Sequence, residues 1–322
     1  MADKESKKQI FVYADWNEYD NPELMGILNA VISRGKEIFS FEYSEEWLNK
    51  GIAQTLDPDL QLFSGPQYLR DDKVNFGVFL DSSPDRWGRI LIKRRESAIA
   101  KLEKRNPKTL LESDYLLRVF DGHRMGALRF KEIIDGPFVN NIKETAIPPW
   151  TDIRDLEYAS LQLEKENSVD EPEYLKWLNL LIAPGSSLGG ARPKASIIDE
   201  NNHLWIAKFP STNDIIDKGA WEMITNELAY KSGINTAKGK VKKFSGNHHT
   251  YLTKRFDRTD KGKRIHFASA MTMLGYKDHT DGVSYLELAD FLIRKGSRQK
   301  MTLRKYGGEL FSIFVLKTQM TI

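Results

Sequence analysis

The sequence predicts an α+β fold, because two kinds of apolar pattern recur along it. Short segments with apolar side chains at every second position, joined by tight polar turns, indicate antiparallel strands. Longer segments with apolar side chains three or four residues apart indicate amphipathic helices. The chain has 322 residues, which is enough for two or more domains with hydrophobic cores of their own.

The composition excludes several classes of protein. A net charge of +3 does not favour a dedicated nucleic-acid or membrane binder. The chain contains no cysteine, which excludes disulfides, cysteine-ligated zinc and thiol catalysis, and which fits a reducing compartment. Because no segment has the apolar character of a signal peptide or a membrane span, we expect a cytoplasmic protein that does not contact membranes.

The first 150 residues are expected to form a small antiparallel sheet with helices beside it. The predicted elements are a strand at 10–15, a hairpin of strands 24–33 and 36–43 around Arg34-Gly35, a short helix at 45–50, helices at 81–103 and 110–119, and a strand at 126–130. Residues 135–150 contain Gly136, Pro137, Pro148 and Pro149, and this composition predicts a linker.

The helix predicted at 81–103 has a clear beginning and a basic face. Ser82 or Ser83 can cap it, and Pro84 suits its first turn. The basic face consists of Arg86, Arg89, Lys93, Arg94 and Arg95. That face has two interpretations, a solvated helix surface or a nucleic-acid contact, and no aromatic platform accompanies the charge.

The second half alternates in the same way. Its predicted elements are helices at 152–166 and 173–182, strands at 195–198 and 203–209, a helix at 218–232, strands at 241–244 and 250–256, and helices at 268–274 and 285–294. The stretch of most interest joins the second of these helices to the first two strands. It reads GSSLGGARPKASIIDENNHLWIAK over residues 185–208.

This glycine-rich loop has the composition of a phosphate-binding loop. Its small residues leave backbone N–H groups free to face an anion, and its cations add fixed positive charge. The small residues are Ser186, Ser187, Gly189 and Gly190, and the cations are Arg192 and Lys194. The alternative interpretation is a glycine-rich turn at the surface.

Lys208 lies at the end of the second strand after the loop. Side chains alternate along a strand, so Lys208 shares a face with Leu204 and Ile206, where an ammonium group needs an anionic partner. A nucleotide phosphate or an acidic side chain would serve. Glu222, on the next predicted helix, is the candidate for an ion pair of the kind that protein kinases use, and otherwise is an exposed acid. The loop is not a Walker A motif, because it leads into a strand and not a helix.

Several stretches in order resemble the HipA family of serine/threonine kinases, the toxins of bacterial HipBA toxin–antitoxin modules. They are FGVFLDSSPDRWGR (76–89), DYLLRVFDGHRMGALRF (114–130), SSLGGARPKA (186–195), IAKFP (206–210), KRFDR (254–258) and SAMTMLG (269–275). The resemblance implies a protein-kinase-like fold. It would comprise an α/β N-terminal subdomain (1–150), a kinase N-lobe with glycine-rich loop and hinge (151–257), and only the start of the helical C-lobe (258–322).

The resemblance also implies a set of site residues and ligands. The ATP-binding residues would be Ser186, Ser187, Gly189, Gly190, Ala191, Arg192, Lys194, Lys208, Lys254 and Phe256. Ser187 would be an autophosphorylation site whose modification expels the loop, and Lys254–Phe256 would be the hinge that holds adenine. The implied cofactors are ATP and Mg²⁺. The implied partners are a protein substrate and a HipB-like helix-turn-helix antitoxin, through which alone the chain would meet DNA.

The family's catalytic loop, of pattern NTDDHxxN, does not occur in the sequence. The catalytic aspartate and the magnesium ligands are therefore missing, and we expect this polypeptide alone to be inactive. The alternative function is an inactive remnant that still binds nucleotide or antitoxin. Permitted codons for the final residues, read one base out of step, encode NTDDH, so we interpret the tail from about residue 297 as frameshifted. If the downstream DNA does not encode a helical C-lobe in the shifted frame, this hypothesis fails.

The missing C-lobe has one further expected consequence. Apolar surface of residues 268–293 would be left uncovered, because the helices that normally bury it are absent. An uncovered apolar patch favours aggregation or a partner.

Overall fold

A computed structural model describes residues 7–51, 55–70, 73–140, 152–185, 188, 190–244, 246–278 and 280–296, with 302 and 307. Its strands are β1 (Lys7–Ala14), β2 (Glu23–Ser33), β3 (Lys36–Tyr43), β4 (Gln67–Tyr68), β5 (Leu128–Lys131), β6 (Lys194–Ile198), β7 (Leu204–Lys208), β8 (Gly239–Lys242) and β9 (Thr250–Lys254). Its α-helices are α1 (Glu45–Asn49), α2 (Gly77–Leu80), α3 (Arg86–Leu102), α4 (Glu112–Arg118), α5 (Ile153–Leu163), α6 (Tyr174–Gly185), α7 (Lys218–Lys231), α8 (Ala270–Leu274) and α9 (Tyr285–Lys295). The predicted α+β class is confirmed.

The N-terminal part forms one antiparallel sheet in the order β4-β3-β2-β1-β5. The predicted hairpin of β2 and β3 is confirmed. Its two turn residues, Arg34 and Gly35, both have positive φ, at 50° and 76°, as a two-residue hairpin turn that matches the strand twist requires. Alternate side chains of the strands, such as Phe39 and Phe41, are buried in the core.

The C-terminal part forms a second antiparallel sheet in the order β6-β7-β9-β8. One face of this sheet packs on α5 and α6 through Ala195, Ile197, Trp205, Ala207 and Leu252, all of them buried. Because side chains alternate, the other face carries Lys194 on β6 and Lys208 on β7. This second face therefore holds two of the cationic residues that the sequence picked out, Lys194 and Lys208.

Helix α3 joins the two parts. Its Trp87 and Leu91 pack in the same core as α5 and α6, and the Trp87 Nε1–H donates to the Lys194 carbonyl at 3.1 Å. The helix begins at Arg86, five residues after the predicted start, because Asp85 and not a serine caps it. The Ser82 and Ser83 hydroxyls instead donate to the carbonyls of Val78 and Phe79, four residues earlier.

The arginines on the basic face of α3 bind other groups of the same chain. Arg86 binds Asp278 at 2.9 Å, Arg89 makes a bidentate pair with Glu112, and Arg94 donates to the Leu163 carbonyl. Arg95 donates to Asn179. A guanidinium that already binds protein groups is a poor phosphate ligand, so these contacts favour a structural role for the face.

Helices α7 and α9 leave large apolar side chains exposed. Leu286 is 77% exposed and Tyr285 60% exposed on α9, and Trp221 is 40% exposed on α7. The uncovered surface expected for residues 268–293 stays a prediction. No helix of the described residues is both long enough and apolar enough to cross a bilayer. The predicted linker lies outside the described residues from 141 to 150, as does the tail predicted to be frameshifted, apart from residues 302 and 307.

A buried ionic cluster holds the junction between the two sheets. The Asp257 carboxylate binds Arg255 and Arg258, each at 2.6 Å, and accepts from the Gly126 N–H at 2.8 Å. Gly126 precedes β5 of the first sheet, whereas Asp257 follows β9 of the second. The cluster therefore ties the two sheets together.

Replacing Asp257 with alanine should destabilise the protein strongly. The change leaves two guanidinium groups buried without their carboxylate, which costs on the order of 3–5 kcal/mol. Urea unfolding measures the effect. Asp260→Ala is the matched control in the same loop, since Asp260 pairs with Lys254 but is exposed and should matter little. Equal unfolding midpoints for the two variants would show that the cluster is not what holds this junction.

Candidate phosphate-binding site

Lys208 is the last residue of β7, and its ammonium group contacts the Glu222 carboxylate. The structure thus brings together the lysine and the helix acid that the sequence paired. The Lys208 Nζ also lies 5.5 Å from the centre of the Tyr251 ring. Both members of the pair remain partly exposed, at 34% and 39%, so a ligand can reach them.

The position of α7 decides that Glu222 reaches Lys208. The Asp217 side chain caps the helix by accepting from the Ala220 N–H at 3.0 Å, and Glu222 follows in the next turn. Gly219 lies so close to β9 that a Cβ added to it would stand 2.1 Å from the His249 carbonyl oxygen. Only glycine allows this approach, and the approach brings the helix within reach of β7.

Lys194 is the neighbour of Lys208 across the sheet, since the two are register partners on β6 and β7. Unlike Lys208, Lys194 is buried, at 6% exposure. Burial, and then the charge of Lys208, lower the pKa of Lys194 to about 8, while Asp85 and Glu222 act in the opposite sense. An anion bound between the two lysines would relieve their repulsion.

Gly190 brings the end of the glycine-rich loop onto Lys194. Its φ is +92°, which favours glycine, and a Cβ there would stand 2.8 Å from the Lys194 Nζ. The Gly190 N–H donates to the Asp85 carboxylate, and its carbonyl accepts from the Trp87 N–H at 3.2 Å. The Gly190 backbone and the Lys194 ammonium group therefore lie close together, and the Gly190 amide faces an anion, the Asp85 carboxylate.

Arg192 does not join the lysines. Its guanidinium makes two hydrogen bonds to the buried Asp214 carboxylate, at 2.8 and 2.6 Å. This pairing holds the pKa of Asp214 well below its usual range. Lys218 binds the same carboxylate at 3.1 Å. Arg192 thus fixes the segment before α7, a role that its position beside the glycines did not reveal.

The predicted hinge residues lie at the other end of the sheet. Lys254 pairs in register with Trp205, three residues before Lys208, so the two lysines are about 10 Å apart along the strands. Its ammonium binds Asp260 at 2.6 Å. Phe256 is 60% exposed and meets Phe267 edge to face, with 5.2 Å between ring centres.

Two cavities open beside Lys254. The larger, of about 730 Å³, lies between α7 and the β6–β7 turn and includes Trp205 and Tyr230 in its wall. The smaller, of about 240 Å³, is lined by Leu204, by the cluster residues Arg255 and Arg258, and by Arg264. Neither of these two cavities includes Lys194 or Lys208, so the lysine pair lies apart from both.

The remaining predicted site residues divide into two groups. Ala191 lies exposed between Gly190 and Arg192. Ser186, the predicted autophosphorylation site Ser187, and Gly189 lie outside the described residues. No group of three or more histidine and acidic side chains that could hold a metal ion occurs among the residues that the structure describes.

The sequence reasoning missed Asp85 and Trp87 as site residues. Both belong to the stretch Ser83-Pro84-Asp85-Arg86-Trp87, whose only local signal is the start of a helix. Their contacts with the loop join residues more than 100 positions apart. Periodicity and capping rules describe neighbours in the chain and could not have found them.

Comparison with protein families gives one match to the chain. Residues 186–320 match the family model described as the HipA-like C-terminal domain. This match supports membership of the HipA family. The match begins in the glycine-rich loop, covers the lysine pair, α7 and the predicted hinge residues, and extends into the tail predicted to be frameshifted. No curated protein matches the chain significantly.

Lys194 should lose its proton at an unusually low pH, because its pKa of about 8 lies below the ordinary value near 10.4. Between these values the unfolded chain binds more protons than the folded one, so the free energy of unfolding should rise with pH in this interval. Comparing unfolding from pH 8 to 10 in the wild type and in Lys194→Met measures the difference. A wild-type curve that stays parallel to that of the variant would contradict the assignment.

Proposed function

We propose that the chain is a HipA-like serine/threonine protein kinase whose glycine-rich loop and lysine pair bind the phosphates of ATP. The observation that carries the proposal is the Lys208–Glu222 contact with Lys194 directly beside it. A lysine on a strand, held by a glutamate on the following helix, is the arrangement that protein kinases use to place ATP phosphates. The family match over residues 186–320 supports the same conclusion.

In this proposal each group has a separate task. Glu222 holds the Lys208 ammonium at the end of β7, so that it needs no reorientation when a phosphate arrives. Lys194 and the Gly190 N–H supply a second contact for the same phosphate chain. The adenine would reach toward Lys254 and Phe256, about three strand residues away.

The proposed cofactor ATP fits the described residues better than the proposed Mg²⁺ does. A buried lysine beside a second lysine and a backbone amide favours a polyphosphate. By contrast, the described residues offer no cluster of acidic ligands, and the sequence lacks the NTDDHxxN pattern. The alternative proposal is an inactive remnant that still binds nucleotide or antitoxin.

The proposed partners follow from the family. They are a protein substrate carrying a hydroxyl group and a HipB-like helix-turn-helix antitoxin, with DNA reached only through the antitoxin, and we propose a cytoplasmic location. The contacts of the α3 arginines within the protein disfavour the competing proposal of direct nucleic-acid binding by this helix.

Lys208→Met should weaken ATP binding by about 10- to 100-fold. The change removes a charged hydrogen bond, worth about 1.5–3 kcal/mol, while keeping most of the side-chain volume. Isothermal titration calorimetry measures the affinity. The control is Lys242→Met, which removes an exposed lysine from β8 of the same sheet and should leave the affinity unchanged. Equal affinities for the two variants, or a wild type that binds no ATP, would refute the proposal.

A further inference from the structure

Asp85 lies at the point where the loop amide and the buried lysine meet. Its carboxylate accepts from the Gly190 N–H, and it also accepts from the Arg86 N–H at 2.7 Å as the cap of α3. Its charge acts on Lys194 in the direction that favours the protonated ammonium. A carboxylate from the N-terminal part thus faces two of the groups proposed to hold phosphate.

The charges around the lysine pair are balanced without any ligand. Glu222 contacts Lys208. The Asp85 carboxylate accepts from the Gly190 N–H, and its negative charge favours the protonated form of Lys194. An incoming phosphate brings more negative charge than one carboxylate does. Beside the Gly190 N–H it would meet the Asp85 carboxylate at close range, and two like charges in that position repel.

We propose that Asp85 is an internal anion that competes with the phosphate chain for the Gly190 amide and for Lys194. Phosphate binding therefore displaces the Asp85 carboxylate from the loop. The inference rests on the proposed function for its ligand, and it adds a group from outside the HipA-like region that sets the affinity of the site.

Other hydrogen bonds between α3 and the loop remain when the Asp85 carboxylate leaves the Gly190 N–H. Trp87 holds the loop through two further hydrogen bonds, from its N–H to the Gly190 carbonyl and from its Nε1–H to the Lys194 carbonyl. In these bonds the loop contributes carbonyl oxygens, which are acceptors. A phosphate oxygen is also an acceptor, so it does not compete for them. The loop therefore stays attached to α3 while its N–H group exchanges one anion for another.

The displacement also links the site to the N-terminal part. Asp85 caps a 17-residue helix, so a phosphate that displaces the carboxylate from its present position acts on the first turn of α3. Linkage between two ligands is reciprocal. A partner that holds Asp85 more firmly against the loop therefore weakens phosphate binding by the same factor by which bound phosphate weakens the binding of that partner.

Asp85→Asn separates the charge of this residue from its structural roles. Asparagine caps helices as well as aspartate does and still offers an oxygen to the Gly190 N–H, but it carries no negative charge. The variant should bind both tripolyphosphate and ATP about tenfold more tightly than the wild type, measured by calorimetry at low salt. A thermal melt checks that it folds. The control is Asp278→Asn, which removes a carboxylate that binds Arg86 in the same first turn and should leave both affinities unchanged.

The two ligands distinguish the inference from the proposed function. Tighter tripolyphosphate binding by Asp85→Asn without any ATP binding would support the competition and refute the nucleotide. ATP binding that depends on Lys208 but is unchanged or weaker in Asp85→Asn would refute the competition and leave the nucleotide site standing. An equal gain in Asp278→Asn would reduce the effect to general electrostatics and also overturn the inference.

Discussion

Two lysines lie side by side on the face of the C-terminal sheet that points away from α5 and α6, and the antiparallel register of β6 and β7 places them there. Lys194 and Lys208 are register partners, so their side chains leave the same face at the same level. Two adjacent ammonium groups repel one another, and the cost is greatest for the buried one. Two carboxylates offset this repulsion, Glu222 beside Lys208 and Asp85 beside the loop.

Each carboxylate arrives on a helix whose position is fixed by other contacts. Glu222 comes on α7, which the absence of a side chain at Gly219 allows to approach the His249 carbonyl. Asp85 comes on the cap of α3, which is anchored by Trp87 in the core beneath the sheet. In this arrangement one of the four charged groups, Asp85, comes from the N-terminal part, whereas the other three lie within the region that matches the HipA-like family model.

The sequence predicted those parts of the fold and site that depend on neighbours in the chain. Arg34-Gly35 identified the first hairpin, the alternation before Lys208 placed it on a strand, and the helix after it offered Glu222. The sequence did not predict that Arg192 binds Asp214, because an arginine beside glycines has the same local pattern whichever anion it meets. The contact of Asp85 with the loop was not predicted for a similar reason, since only tertiary packing brings it to residue 190.

The central claim is that Lys194 and Lys208 face the same phosphate chain. An ATP derivative with an acyl group on its terminal phosphate would test it most directly, because the acyl group passes to whichever lysine lies beside that phosphate, and mass spectrometry identifies the acylated residue. We expect labelling of Lys208, Lys194 or both, and suppression of that labelling by excess ATP. Labelling spread over exposed lysines such as Lys240 and Lys242, with no protection by ATP, would contradict the account.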